Sequence, residues 1–255
     1  MAKKPDVLRP TDDEARRLAR MLVRASPFAS LAVIEPGTGH PSSSRVLLAT
    51  DIDCCPVILV SALAMHAGAL KADPRASLLC GEPGKGDPLA WPRITVACRA
   101  ETIDRDSEAG MLVRQRFLRR HPKSRLYIDF GDFSFFRLVP LRASLNGGFG
   151  RAFAIEGNDL LADSQSALDL ARHSAGILRD GPAAGTGDHA VAVDHFAGNL
   201  LSIPLLYREF KLIDLDCDGI YMKKGNSIRR FEFMKTARNL EEFVAEYSDI
   251  LNVMH

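Results

Sequence analysis

The sequence predicts an α+β protein: an antiparallel β-barrel followed by a smaller α+β domain. Two observations carry this reading. Six or seven strand-like runs crowd into the first 150 residues with few residues between them, which suits antiparallel pairing and leaves no room for parallel βαβ crossovers. Beyond Leu161 the pattern changes to amphipathic helix, a Gly/Ala-rich stretch, a hairpin and a closing helix. The expected boundaries are therefore 1–161 for the barrel and 162–255 for the second domain.

Thr11 followed by Glu14 has the spacing of a capping box and predicts a helix to about Ala25, with Leu18, Met21 and Leu22 on one face. FASLAVIE, SSRVLLATD and PVILVSAL are rich in β-formers and separated by turn clusters, so they predict a meander. MHAGALKADP reads as a short helix stopped at Asp73-Pro74, and Ala76–Cys80 as a strand. RITVACRAETI alternates like a half-buried strand, 106–120 like a helix, and HPKSRLYIDFGDFSFFRLVPLRASLNGG holds two more strand-like pieces. Downstream, 162–180 and 191–201 read as helices. FKLIDLDCDGIYMKKGNSIRRFEF reads as a β-hairpin or meander and LEEFVAEYSDIL as a helix.

Bulk composition excludes several function classes. The 255 residues carry a formal net charge of +1, so no global field selects nucleic acid or an anionic membrane. No apolar run approaches the roughly 18 residues that a membrane helix needs. The first residues, MAKKPDVLRPTDDEARRL, lack the apolar core of a secretory signal. Five scattered cysteines without a CxxC predict buried, reduced thiols and a cytoplasmic setting. Neither a Walker sequence, HExxH nor CxxCH occurs. The acidic turn Asp214, Asp216, Asp218 lacks the remaining oxygen ligands of a calcium loop and predicts a polar hairpin.

One stretch asks for a special explanation. SLNGGFGRAF sets Gly147, Gly148 and Gly150 around Phe149 and follows them with Arg151. Such a cluster means either a tight turn or the close approach of a ligand to the backbone.

SSRVLLATD, LVSALAMHAGALKADPRASLL, EPGKGDPLAWPRITVACRAE, FLRRHPKSRLYIDFGDFSFFRLVP and LNGGFGRA follow one another here as in a known family. Residues 10–160 resemble the pyridoxamine 5'-phosphate oxidase-related FMN-binding split-barrel proteins, in the branch that includes heme-utilisation (HugZ-like) proteins. The C-terminal segments resemble the small α/β domain that often follows that barrel. The resemblance implies a six-stranded split barrel, a homodimer, and two FMN sites between the subunits. It implies that Arg45 lies near the ribityl-phosphate, with the Val46 and Leu47 backbone along the ring. It places Ser61, Ala62, His66 and Lys71 at the phosphate end, and Gly148 and Arg151 close to the cofactor. Ala67 and Ala69 stand where the family commonly has Thr and Asn, which predicts weakened FMN binding.

The leading expectation is thus an FMN-dependent oxidoreductase, with catalytic residues unassigned and no metal site. The alternative is a heme or other tetrapyrrole-binding, heme-utilisation protein, or a barrel that has lost FMN and serves as a binding module. Among seven histidines, the terminal His255 bears on heme, because some relatives ligate iron from that position.

Overall fold

The computed structural model describes residues 8–148, 150–163, 167, 170, 211–224 and 227–253. The chain forms two compact units, Met1–Leu161 and Ala162–His255.

The first unit opens with helix α1 (Asp13–Ala25). Its cap is Asp12, whose carboxylate accepts from the Ala15 N–H at 2.8 Å. Thr11, one residue earlier, donates its hydroxyl to the Ala154 carbonyl at 2.6 Å instead. The expected capping box is therefore displaced by a strand contact.

Eight strand segments follow: β1 (Phe28–Ile34), β2 (Pro41–Leu47), β3 (Ala49–Thr50), β4 (Pro56–Ser61), β5 (Arg75–Cys80), β6 (Arg93–Ile103), β7 (Phe133–Asn146) and β8 (Ala152–Glu156). Helix α2 (Met65–Ala72) separates β4 from β5, and α3 (Glu108–Arg120) separates β6 from β7. The sheet is antiparallel in the order β2-β1-β5-β6-β7-β4-β3, with β8 on β7. Its two end strands, β2 and β3, are consecutive in the chain and separated only by Leu48. The sheet therefore curls until its ends meet. The expected six strands become eight segments because Leu48 breaks one run into β2 and β3, and because β8 adds to the edge of β7.

The break at Leu48 has a local cause. Its N–H goes to the Pro27 carbonyl at 3.0 Å, and its carbonyl accepts from Nε2 of His121 at 2.8 Å. Both main-chain groups are thus committed away from a β2–β4 ladder. Arg116, also on α3, donates Nε–H to the Thr50 carbonyl at 3.0 Å. Arg116 of α3 and its cap His121 thus hold the carbonyls of Thr50 in β3 and of Leu48 just before it, and the ladder to β4 covers only Ala49↔Val57 and Thr50↔Pro56.

Pro140 explains why 133–146 reads as two pieces. It is paired with Cys98 where the β6/β7 register shifts by one residue. A bulge tolerates the missing N–H, so a single strand of 14 residues runs through it. The barrel interior is apolar and closely packed, with Leu31, Leu48, Ile58, Leu78, Ile94, Val96 and Leu138 at 0% exposure.

The second unit has an antiparallel sheet of β9 (Lys211–Asp216), β10 (Gly219–Lys224) and β11 (Ser227–Glu232), followed by α4 (Leu240–Val253). The expected helices within 162–201 lie outside the described residues but for Ala162, Asp163, Ala167 and Leu170. Phe233 packs edge-on against Phe243 at 5.1 Å. The buried Arg230 guanidinium binds Asp216 through two bonds of 2.6 and 2.9 Å and stacks over Tyr221. Asp218 accepts from the Thr236 hydroxyl. The acidic turn is a polar hairpin held by protein partners. No group of three potential metal ligands occurs among the described residues.

His121 supplies a test of the clamp. Burial lowers its pKa from 6.5 to about 4. The unfolded chain takes up this proton below pH 6.5 and the folded chain does not until about pH 4. Stability from this group is therefore complete above the unfolded value and falls with acidification. The loss by pH 4.5 is about 2–3 kcal/mol. His121→Gln, which keeps a donor for Leu48 but cannot titrate, should show urea unfolding that is flatter by that amount between pH 7 and pH 4.5.

Candidate functional site

β2 alternates as a strand with one wet face: Ser43, Arg45 and Leu47 point outward, while Val46 is 6% exposed and belongs to the core. Val46 can therefore offer a ligand its backbone only. β2 pairs with β1 along one edge. Its other edge approaches β4 to within 8 Å between Cα atoms but forms no ladder with it. Continuing the Ala49↔Val57 register places Leu47 opposite Leu59 and Arg45 opposite Ser61. The barrel is thus open along one seam, with Arg45 and Leu47 on one lip and Ser61 on the other.

Arg45 sits 5.0 Å above the Phe28 ring. Among the described residues its guanidinium makes no hydrogen bond or ion pair. A planar fork of donors on the outward face of an edge strand is suited to a carboxylate or phosphate.

The opposite lip is held by a small network. The Ser61 hydroxyl donates to Asp132 Oδ2 at 2.7 Å and accepts from the Leu63 N–H at 3.2 Å. The Ala62 N–H donates to the Asp132 carbonyl at 2.7 Å. This turn projects Leu63, 91% exposed, and Met65, 46% exposed, beside the seam. Phe130, two residues before Asp132, is 58% exposed. His66 follows in the first turn of α2. It is half-buried, makes no hydrogen bond among the described residues, and burial lowers its pKa, so its imidazole is neutral at pH 7.

The nine residues expected at a cofactor do not all meet. Arg45, Leu47, Ser61 and Ala62 line the seam, Val46 backs it, and His66 begins the adjoining helix. Lys71 lies five positions after His66, about 140° further round the helix axis, and is exposed. Gly148 and Arg151 are elsewhere. The register row Arg45–Ser30–Leu79–Thr95–Ser144–Ala154 sets β8 five ladders from β2, a path that runs round the curled sheet rather than across it.

The glycine cluster is the β7–β8 hairpin. Gly147 N–H donates to the Arg151 carbonyl at 2.7 Å. Gly148 and Gly150 adopt φ of +106° and +69°. A Cβ on Gly148 would stand 3.1 Å from the Ala90 carbonyl, so the close approach here is to the chain itself. Arg151 pairs with Glu14 at 2.7 Å. It borders a groove of about 580 Å³ with Arg9, Pro10, Asp12, Glu14 and Phe153. Its charges balance, and Glu14 already pairs with Arg151 there.

Ala67 and Ala69 also depart from expectation. They are 3% and 0% exposed and sit in the barrel core. Within one chain, their side chains do not face the seam. Asp132, Leu63 and Phe130 were not legible as site residues, because only the fold brings 61–65 beside 130–132.

A family model described as CREG, beta-barrel matches residues 10–162. The chain belongs to this family. It is 31% identical over 210 residues to the chloroplastic heme oxygenase HOZ of Arabidopsis thaliana, covering 80% of this chain and 62% of that protein. It is 31% identical over 110 residues to the heme oxygenase HutZ of Vibrio cholerae, covering 41% of this chain and 61% of that protein. The chain therefore spans about three fifths of the length of these curated relatives. A crystal structure of an Agrobacterium tumefaciens protein of unknown function superposes over 96% of this chain and 100% of that one, at TM-score 0.71 and 25% identity. A heme-binding protein from Mycobacterium smegmatis covers 97% and 98% at TM-score 0.55 and 22% identity, a likeness of fold. Among the described residues no helix is long and apolar enough to cross a membrane.

The burial of Ala69 gives a direct test. Ala69→Asn places a larger polar group in a packed core and should lower stability by about 2–5 kcal/mol, read from the urea midpoint. A gain in FMN affinity without loss of stability would place this side chain at the seam instead.

Proposed function

We propose that this chain is a heme-utilisation protein that binds heme at the seam between β2 and β4 and takes it as substrate. One observation carries the reading. The seam combines Arg45, a cation with no partner among the described residues, with the outward apolar side chains of Leu47, Leu63 and Met65 and the neutral imidazole of His66. Heme asks for these features: donors for its propionate carboxylates, apolar surface for its ring, and an uncharged nitrogen for its iron. The names of two relatives, both heme oxygenases, support this alternative over the flavin reading.

In this reading Arg45 orients the propionates. The Ser61–Asp132 pair holds the turn that carries Leu63 and Met65. His66 would offer the iron an uncharged ring nitrogen. Bound heme would supply the iron centre for oxygen chemistry, while the protein supplies position and shielding.

The finer architecture proposed is the six-stranded split barrel of the pyridoxamine 5'-phosphate oxidase-related, HugZ-like branch, working as a twofold dimer. The outward face of β2, β1, β5 and β6 supports the dimer: the small side chains of Ser43, Ser30, Ala32, Ser77, Thr95 and Ala97 surround the exposed Leu79 on a surface that another copy could cover. Gly148 and Arg151, remote from the seam within one chain, would reach it only from such a partner. A flavin reading retains one specific support, since Arg45 opposite Ser61 also suits a phosphate monoester. Absorbance separates the two, by a Soret band for heme or two flavin bands for FMN.

Hemin titration tests the proposal. The protein should develop a sharpened, shifted Soret band that saturates at one heme per seam. Arg45→Glu should weaken binding about tenfold to a hundredfold, the loss of one or more charge-assisted hydrogen bonds. His66→Ala should alter the position of the Soret band. FMN binding with no hemin response would contradict the reading.

A further inference from the structure

The lip of the seam that carries Arg45 and Leu47 rests on β1. Two hydrogen bonds close the β1–β2 ladder at its ends: Glu35 N–H to the His40 carbonyl at 2.9 Å, and Leu48 N–H to the Pro27 carbonyl at 3.0 Å. Both fit the register of Phe28↔Leu47, so the even-numbered residues from 40 to 48 direct their main-chain groups toward β1. Ser43, Arg45 and Leu47 direct theirs into the seam, where no ladder receives them. The position of this lip is therefore set by β1 and by the base of the hairpin.

That base lacks one ladder bond. The register sets Leu48 against residue 27, and a complete pair would return an N–H from 27 to the Leu48 carbonyl. Residue 27 is proline, which has no N–H. Leu48 is fully buried, so its carbonyl needs a donor from the protein. His121 supplies it, with Nε2 at 2.8 Å. The ring is placed by the end of α3: the His121 N–H donates to the Phe117 carbonyl at 2.7 Å, and the two rings lie 4.8 Å apart. The same helix grips the hairpin base twice more. Arg120 donates to the Ala25 carbonyl, shortly before β1, and Arg116 to the Thr50 carbonyl, shortly after β2.

We infer that His121 is a positioning residue for the ligand: by holding the Leu48 carbonyl in place of the N–H that Pro27 lacks, it fixes the lip on which Arg45 and Leu47 meet what the seam binds. His121 is itself buried, so it acts through Leu48. A displacement of that carbonyl passes to Leu47, its neighbour, and along the strand to Arg45. Recognition by a planar guanidinium fork depends on such placement, because its bonds to a carboxylate are directional.

The ligand here is that of the heme reading, on which this rests, and the test separates the two. Hemin titrations of the full chain, under conditions where each form is folded, compare the native protein with His121→Leu, His121→Gln and Val113→Ala. His121→Leu leaves the Leu48 carbonyl without its donor and should weaken hemin binding about tenfold, with a displaced Soret band. His121→Gln, whose amide nitrogen can take the place of Nε2, should return the affinity to within about twofold of native. Val113→Ala removes buried methyl groups from the same helix and should lower the urea midpoint while leaving hemin affinity unchanged. In the hemin-free chain, the amide resonances of Arg45 and Leu47 should shift in His121→Leu and return in His121→Gln. Should His121→Leu not fold, His121→Asn, whose amide stops short of Leu48, takes its place. Native affinity and unmoved resonances in the variant without the donor would overturn the inference and leave the heme reading standing. So would an equal loss of affinity in Val113→Ala, which would trace the effect to stability alone. A native chain that ignores hemin would sink the heme reading, and the two amide resonances would then decide the positioning role by themselves.

Discussion

The structure of the seam depends on how one residue spends its backbone groups. Leu48 joins the two ends of the curled sheet, and both its N–H and its carbonyl are bonded away from β4, to Pro27 and His121. A strand that cannot continue its ladder must leave an open edge. That edge is where Arg45 and Leu47 stand, across from Ser61 and the turn that follows. The clamp is made by Arg116 of α3 and by His121, which caps that helix, and it fixes where the barrel opens. The neutral state of His121 is part of the design, since a buried imidazolium would carry an uncompensated charge into the core.

The arginines show how a nearly neutral chain creates a local site. Arg116 is bonded to a carbonyl, Arg137 to Asp51 and Asp53, Arg151 to Glu14, and Arg230 to Asp216 and Glu232. These groups hold loops and strands in place. Arg45 is different, because its contact is the face of Phe28 and its donors point outward. The contrast, more than any overall charge, separates a cation available to a ligand from cations that serve the fold. Paired surface charges add little stability and no recognition, whereas an unpaired fork beside exposed apolar side chains offers both charge and contact.

Much of the barrel was legible. Alternation in FASLAVIE and RITVACRAETI gives β1 and β6, and the Asp73-Pro74 stop gives the end of α2. Local pattern failed where a distant partner decided the outcome. Thr11 yields its cap role to Asp12 because β8 takes its hydroxyl. Pro140 reads as a break but occupies a bulge that only β6 defines. The glycines of 147–150 signalled close backbone approach correctly, but the approach is to Ala90 and a hairpin, at the far side of the sheet from Arg45. Ala67 and Ala69 read as lost phosphate contacts, yet the helix turns them into the core. The histidines His173, His189, His195 and His255 lie outside the described residues, so the site is argued from His66, Arg45 and their neighbours. Nothing in the linear pattern joins Ser61 to Asp132, 71 positions apart.

Paramagnetic broadening by ferric heme tests the location of the ligand most directly. With methyl groups labelled, addition of one equivalent of hemin should broaden the signals of Leu47, Ala62, Leu63 and Met65 beyond detection. Undisturbed Leu47 and Leu63 methyls at saturating hemin would show that heme binds away from the open edge of the barrel and would contradict the account.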